Sequence, residues 1–417
     1  MKTIEPKILK GFRDFLPEQM AIRQKIFSII KNVFQSYGFD PLETPSLEYA
    51  KILLEKSGEE ANKLIYRFKD QGNRDVALRY DLTVPLSRVI AQYPDIPKPF
   101  KRYQIQPVWR ADKPQKGRYR EFTQCDVDIV GSSSPLADAE IIVIIYDILK
   151  KIGFENFIIR INSRQILFSI MQSAGVPQNK TLSVIQSIDK LDKISFEEVK
   201  QELITKNIKP EIIEKIFRLI KKAKPDLFLQ QVLSLVKKLD VPKNFFRFDP
   251  VLARGLDYYT GPICEAIIEE SKIGSIAGGG RYDKLIGMFT DKDIPACGTT
   301  IGIDRIIDVI KELNLWPELS STTTQVLVTL FDKFFLNQAI EISQMLRSEN
   351  INTEIYLDFE DRLEKQLKYA DKKGIPFAVI FGPEEIQKNT VILKNLKTRT
   401  QKEIQKSNFI KEIKNKI

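Results

Sequence analysis

The sequence predicts an α+β chain: an antiparallel sheet flanked by helices, interrupted by a helical insertion and followed by a small α/β domain. Three observations predict it. Two alternating runs, Tyr103–Trp109 and Phe122–Ile129, flank a polar loop carrying Pro114 and Gly117, and so read as a long antiparallel hairpin. From about Arg164 to Lys243 the chain changes to short amphipathic stretches with many Lys and Glu, the pattern of packed helices. From Val326 onward apolar runs alternate with helical spacing, as in a small α/β domain whose sheet begins mainly parallel. The expected division is 1–320, containing the insertion 165–243, and 325–417.

Composition narrows the chemistry. A chain of 417 residues holds two or three domains, each able to bury its own core. No apolar run approaches membrane-spanning length, and Met1–Pro6 opens no signal peptide, so a cytoplasmic location without a membrane partner is expected. The three cysteines, Cys125, Cys264 and Cys297, stand singly and far apart, which suits neither a disulfide framework nor a zinc site. The formal charge of +10 and pI near 9.2 favour an anionic partner, or serve solubility alone. There is no histidine, so any mechanism works without imidazole from the protein.

In chain order, Ile22, Ile26, Ile29, Ile30, Val33 and Phe34 fall at helical spacing within Glu18–Tyr37, and Gly38 stops that helix. Phe39–Pro45 is extended. Val76–Asp81 reads as a strand and Leu82–Pro85 as the opening of a helix. Asp81 and Thr83 therefore stand at a strand-to-helix junction, where they cap the helix or point into a site. The hairpin loop concentrates Arg110, Lys113, Lys116, Arg118 and Arg120, while Phe122, Gln124, Asp126 and Asp128 share one strand face. Such a loop beside such a face suits an anionic nucleotide next to a small cationic ligand.

Leu136–Ile152 is an apolar helix and Phe157–Asn162 a buried strand. Between Gln178 and Lys243 stand 14 Lys/Arg against 9 Asp/Glu, fitting either a solvated helical module or one that meets nucleic acid. In Val251–Gly261, Arg254, Tyr258 and Tyr259 precede a strand from Ile263. Ser275–Asp283 reads as a Gly-rich turn, where Gly278–Gly280 permit positive φ and close approach of a ligand to main chain. Ala296–Arg305 is a strand running into a helix expected over Ile301–Leu313. Asn314–Thr324 is a linker. Strands at Val326–Leu330, Thr353–Tyr356, Phe377–Gly382 and Val391–Leu393 alternate with helices, one of them Asp361–Lys373, and a Lys-rich helix closes the chain. From Lys388 on, nine Lys/Arg face two Glu, a basic end suited to phosphate or simply solvated.

Several stretches carry a resemblance. Trp109-Arg110-Ala111-Asp112, Lys116-Gly117-Arg118-Tyr119-Arg120-Glu121-Phe122 and Gln124-Cys125-Asp126 resemble the second signature motif of class II aminoacyl-tRNA synthetases. Val251-Leu252-Ala253-Arg254-Gly255-Leu256-Asp257-Tyr258-Tyr259-Thr260-Gly261 and Ser275-Ile276-Ala277-Gly278-Gly279-Gly280-Arg281-Tyr282-Asp283 resemble the two signatures of the histidyl-tRNA synthetase family. Ala296 to Arg305 resembles the third class II motif, and the first helix with its extended segment resembles the first, which in the family forms the dimer interface, so a homodimer is expected.

The resemblance implies activation of histidine by ATP, with Mg²⁺ carried on the ATP phosphates and no metal held directly by protein, then transfer to tRNA(His). It implies Arg254 and Arg110 as catalytic arginines at the α-phosphate. Asp81, Thr83, Gln124, Asp128, Arg254, Tyr258, Tyr259 and Tyr282 would bind histidine. Arg110, Asp112, Arg118, Phe122 and Arg305 would bind ATP. Asp112 stands where the family commonly has Glu. Lys113, Gln115 and Lys116 would meet the tRNA acceptor end, and the C-terminal domain the anticodon. The regulatory paralogue of histidine biosynthesis usually lacks that last domain and has eroded ATP residues, which this sequence keeps.

Overall fold

The computed structural model describes residues 3–54, 64–115, 117–192, 194–253, 258–316 and 322–416. It divides into two compact units, residues 1–13 with 26–315 and residues 14–25 with 316–417.

In the first unit the strands are β1 (Asp40–Pro41), β2 (Leu47–Tyr49), β3 (Arg67–Lys69), β4 (Asp75–Leu78), β5 (Phe100–Trp109), β6 (Glu121–Val130), β7 (Phe157–Ser163), β8 (Phe246–Phe248), β9 (Pro262–Ile268), β10 (Ala277–Arg281) and β11 (Ala296–Gly302). Eight form one sheet in the order β1-β5-β6-β11-β10-β9-β7-β8. Its pairs are antiparallel except β1 with β5 and β7 with β8 at the two edges. A separate three-stranded sheet, β2-β4-β3, is antiparallel.

The hairpin β5–β6 is the spine of the large sheet. Period-2 alternation sends Phe122, Gln124, Asp126 and Asp128 to one face and leaves Cys125, Val127 and Ile129 for the other. Helix Pro135–Ile152 packs against β6, β9, β10 and β11. Ser134 caps it by accepting from Leu136 N, Pro135 pre-sets its first turn, and Gly153 ends it at φ +104°. Ile141, Ile144, Ile145 and Ile148 are buried there, each contributing about 1.5–3 kcal/mol. Helix Thr83–Gln92 begins directly after the turn that follows β4.

The insertion is built from helices Arg164–Ala174, Thr181–Ile188, Phe196–Thr205, Pro210–Lys222 and Leu227–Lys238. Ser195 and Glu198 form a capping box, and Val199, Leu203, Ile213, Ile216 and Ile220 fill the core between helices. Helix Leu227–Lys238 packs back on helix Pro135–Ile152.

Two expectations change. Ala277–Arg281 is a strand, not a turn, and its three glycines have no positive φ. Two of them are required for a different reason: a Cβ on Gly279 would strike the Gly298 carbonyl, and one on Gly280 would stand 2.6 Å from the Pro262 carbonyl. The helix predicted from Ile301 starts at Ile303, because Ile301 and Gly302 still pair with Cys125 and Gln124.

In the second unit β12 (Val326–Val328), β13 (Thr353–Ile355), β14 (Phe377–Ile380), β15 (Thr390–Asn395) and β16 (Gln401–Gln405) order as β13-β12-β14-β15-β16. The first three are mutually parallel and the last two add an antiparallel hairpin. Val326, Val328, Leu346, Val379, Phe381, Phe409 and Ile413 form its core. Strand β16 has no sequence signal, since Gln401-Lys402-Glu403-Ile404-Gln405 offers a single apolar residue, Ile404. Among the described residues no helix is long and apolar enough to cross a membrane.

Candidate active site

The face of the large sheet that carries Gln124, Asp126 and Asp128 is hollow at its centre. Across the ladder from these side chains stand Gly302, Thr300 and Gly298 on β11, and Gly278 and Gly280 follow on β10. Residues without side chains leave a cavity of about 460 Å³ over the middle strands. Asp81 and Thr83 line it from the turn before helix Thr83–Gln92. Arg110, Asp112, Arg118, Phe122, Gln124 and Asp128 line it from the hairpin, Tyr258, Tyr259 and Tyr282 from the segments around β9 and β10, and Arg305 from the helix after β11. These sequence-predicted residues thus share one cavity although they span more than half the chain. Lys113 and Gln115 are exposed on the hairpin loop and are not part of its lining. Arg254 and Lys116 lie outside the described residues.

One end of the cavity is acidic. Asp81, Asp126 and Asp128 are all buried, and burial raises the pKa of each. For Asp126 burial pushes it up to about 7 against the pull of Arg102, with the Asp128 charge adding to the rise. For Asp128 burial again dominates, opposed by Arg102 and by the phenol of Tyr282, which donates to Asp128 Oδ1. Asp81 Oδ1 accepts from Val84 N at 3.0 Å, so it caps the helix and lines the cavity at once. Gln124 Nε2 lies 3.4 Å from Asp126 Oδ1 and 3.3 Å from Thr300 Oγ1, while its buried Oε1 has no hydrogen-bond partner among the described residues. Tyr258 packs edge-on to Tyr259 and Tyr282, with ring centroids 4.9 and 5.8 Å away, and burial holds all three phenols protonated.

The other end is cationic. Arg110 donates from Nε to the Tyr80 carbonyl at 3.1 Å, and its guanidinium lies 4.2 Å from the Tyr80 ring and 5.1 Å from the Phe122 ring. Arg118 stands at the mouth, 3.9 Å from Asp112 Oδ2. Gly117, at φ +73°, lets Gln115 and Arg118 close a tight loop by mutual main-chain bonds of 3.0 and 2.9 Å. Arg305 donates to the Ser275 carbonyl at 2.5 Å and reaches the Gly117 carbonyl at 3.4 Å. The lead-in segment braces this rim: Arg13 pairs with Asp304 at 2.8 Å and stacks 3.2 Å over Tyr119.

Sequence reasoning assigned no role to Asp126, Thr300, Tyr119, Ser275 or Asp304, which also line the cavity. Asp126 had a signal, its place between Gln124 and Asp128 in the alternation. The others depend on long-range pairing. A cavity with three carboxylates, an amide and phenols at one end and three guanidiniums at the other fits a small cationic ligand beside a polyanionic one.

Comparison with known proteins gives the same direction. Residues 11–306 match the family described as histidyl-tRNA synthetase, and residues 325–416 match an anticodon binding domain. The histidine–tRNA ligase of Aeropyrum pernix is 42% identical over 400 residues, covering 92% of each chain. That of Cytophaga hutchinsonii is 40% identical over 435 residues, covering 94% of this chain and 96% of the relative. The crystal structure of histidyl-tRNA synthetase from Nostoc sp. PCC 7120 has a TM-score of 0.87 at 32% identity, covering 100% of both chains. A sheet hollowed over its middle strands, the converging arginines and acids, and a match that spans both units together give the conclusion that the chain belongs to the histidyl-tRNA synthetase family, the aminoacyl-tRNA ligases specific for histidine.

Proposed function

We propose how this histidine–tRNA ligase divides its two steps among the residues described. In the first step a carboxylate oxygen of histidine attacks the α-phosphorus of ATP, and pyrophosphate leaves with the electrons of the broken P–O bond. In the second a terminal ribose hydroxyl of tRNA(His) attacks the acyl carbon and AMP leaves. Neither step needs a covalent bond to the enzyme, so the work is positioning and charge stabilisation.

Asp81, Thr83 and Gln124 receive the α-ammonium of histidine, the Gln124 Oε1 being a buried acceptor without a hydrogen-bond partner among the described residues. Asp128, Tyr259 and Tyr282, with Tyr258 packed behind, read the imidazole nitrogens. A site built to bond both nitrogens leaves its own buried groups unpaired with another amino acid, which gives discrimination without editing. Arg110 holds the α-phosphate beside the reacting carboxylate and Phe122 stacks the adenine. Asp112 accepts from the adenine amino group. Arg118 and Arg305 clamp the outer phosphates, whose remaining charge is balanced by the Mg²⁺ that enters with ATP. Arg254 completes the charge on the α-phosphate. Lys113, Gln115 and Lys116 meet the acceptor end of tRNA, and the unit from 325 onward meets the anticodon. The catalytic domain is 1–320, the enzyme a cytoplasmic homodimer.

The observation that carries this assignment is the shared cavity of Arg110, Arg118 and Arg305 with Asp81, Gln124 and Asp128. The test is histidine-dependent ATP–pyrophosphate exchange. Arg254→Ala and Arg110→Ala are expected to fold and to lose most exchange, and near-normal exchange in either removes its assigned role.

A further inference from the structure

Beside the acidic end of the cavity, on the same face of the sheet, lies an arginine that no step above uses. Arg102 is 0% exposed and sits on β5 directly across the ladder from Asp128. Its Nη2 is 2.9 Å from Asp128 Oδ2, an ion pair not aligned as a hydrogen bond, and this oxygen has no hydrogen-bond partner among the described residues. The same Nη2 reaches the Leu82 carbonyl at 3.4 Å, between Asp81 and Thr83, and Nη1 donates to Gln104 Oε1 at 3.2 Å. Gln104 in turn bonds Thr44 Oγ1 at 2.9 Å and Gln106 Oε1 at 2.5 Å, and Arg79 holds that same Gln106 oxygen at 2.9 Å. A chain of polar side chains thus backs the wall from β4 to β6 without lining the cavity.

This arrangement is a poor device for stability alone. Arg102 Nε is buried without a hydrogen-bond partner among the described residues, and a buried ion pair with an unmatched donor costs about as much in desolvation as it returns. It stands where three carboxylates crowd, with Tyr282 donating to Asp128 and Asp126 and Asp81 beside it. Without a cation there, like charges at this spacing do not all stay ionised.

We infer that Arg102 is a positioning residue for the amino-acid site: one guanidinium ties Asp128 to the Leu82 carbonyl, keeping the acceptor for the imidazole in fixed relation to the turn that receives the ammonium. The inference rests on the reading that Asp128 faces the imidazole. An ionised, fixed Asp128 can only accept, so it takes one imidazole N–H and selects one tautomer of the bound histidine; a neutral Asp128 can also donate and a displaced one does not reach, so neither selects.

The test is Arg102→Lys in pyrophosphate exchange. Lysine keeps the charge, but its shorter chain carries one nitrogen, which cannot hold Gln104 while also meeting Asp128 and the Leu82 carbonyl. The expected result is a histidine KM raised about ten- to hundredfold, from loss of a charged contact, with the ATP KM within about twofold. Equal changes in both constants, or a fall in kcat alone, overturns the inference. Because the chain contains no histidine, bound ¹⁵N-histidine is the only imidazole in the complex. Its spectrum is expected to show one tautomer with wild-type enzyme and a mixture with the variant; an unchanged spectrum overturns the inference. Asp128→Asn runs in parallel. If it leaves the histidine KM untouched, the reading of Asp128 fails; if it raises KM while Arg102→Lys does not, only the role of Arg102 fails. Should Arg102→Lys not fold, Gln104→Glu serves, since a carboxylate on that bond draws the guanidinium from Asp128. It is expected to raise the histidine KM alone, and an unchanged KM overturns the inference.

Discussion

Gly298 pairs with Asp128 across the β6–β11 ladder, and a Cβ on Gly298 would overlap the Asp128 carboxylate. The missing side chain on one strand is what gives the acid on the next its place. Gly298→Ala is therefore expected to push Asp128 from the cavity wall. Stability should fall by about 1–3 kcal/mol, the usual cost of overpacking. The histidine KM should rise roughly a hundredfold, the penalty for misplacing a site group by about 1 Å. Thermal melts and pyrophosphate exchange measure the two effects separately.

Arg305 is held by the carbonyls of Ser275 and Gly117, so its guanidinium is set before ATP arrives. Arg305→Ala is expected to slow histidine-dependent exchange by about 10²–10³, as loss of one preorganised donor does, with little change in the histidine KM. Steady-state kinetics with each substrate varied in turn checks this, and a selective histidine effect contradicts it.

The buried acids make stability pH-dependent. Burial, partly opposed by Arg102, lifts Asp126 from 3.8 to about 7 in the folded chain. The folded state therefore holds a proton that the unfolded state releases, and stability falls as pH rises from about 4 through 7. Asp126→Asn removes that dependence. Without ligands it is expected to exceed wild type by roughly 1–3 kcal/mol at pH 8 and to lose the advantage near pH 4. Denaturant titrations at the two pH values decide it.

Lys113 is exposed on the hairpin loop and stands outside the cavity lining. Lys113→Ala is expected to leave pyrophosphate exchange unchanged. It should weaken tRNA aminoacylation and reduce the salt dependence of tRNA binding by about one counterion. Aminoacylation across a salt series is the measurement.

Much of this site was legible in the chain because its signals are local. The β5–β6 hairpin follows from alternation and from the turn residues Pro114 and Gly117, and the same alternation puts Gln124, Asp126 and Asp128 together. What was illegible depends on partners distant in sequence. Gly278–Gly280 read as a turn because glycine clusters usually are turns; they are a strand because β10 pairs with β9 and β11, and the Gly298 and Pro262 carbonyls of those strands leave no room for a Cβ at Gly279 and Gly280. Arg102 carried no signal in the sequence, since its meaning comes only from a register that sets it opposite Asp128. Strands β8 and β16 are too short or too polar to announce themselves and exist through their neighbours β7 and β15.

Cys125, Cys264 and Cys297 are all buried, and burial lifts the thiol of Cys264 to about 12 and that of Cys297 well above its ordinary value. Thiolate is the reactive form, so Cys264 and Cys297 are slow towards alkylating probes in the folded enzyme. A cysteine introduced at an exposed position such as Lys113 would then be the preferred attachment point for a fluorophore or spin label. Arrival of the nucleic acid at the loop could be watched in real time on an enzyme that keeps its native thiols.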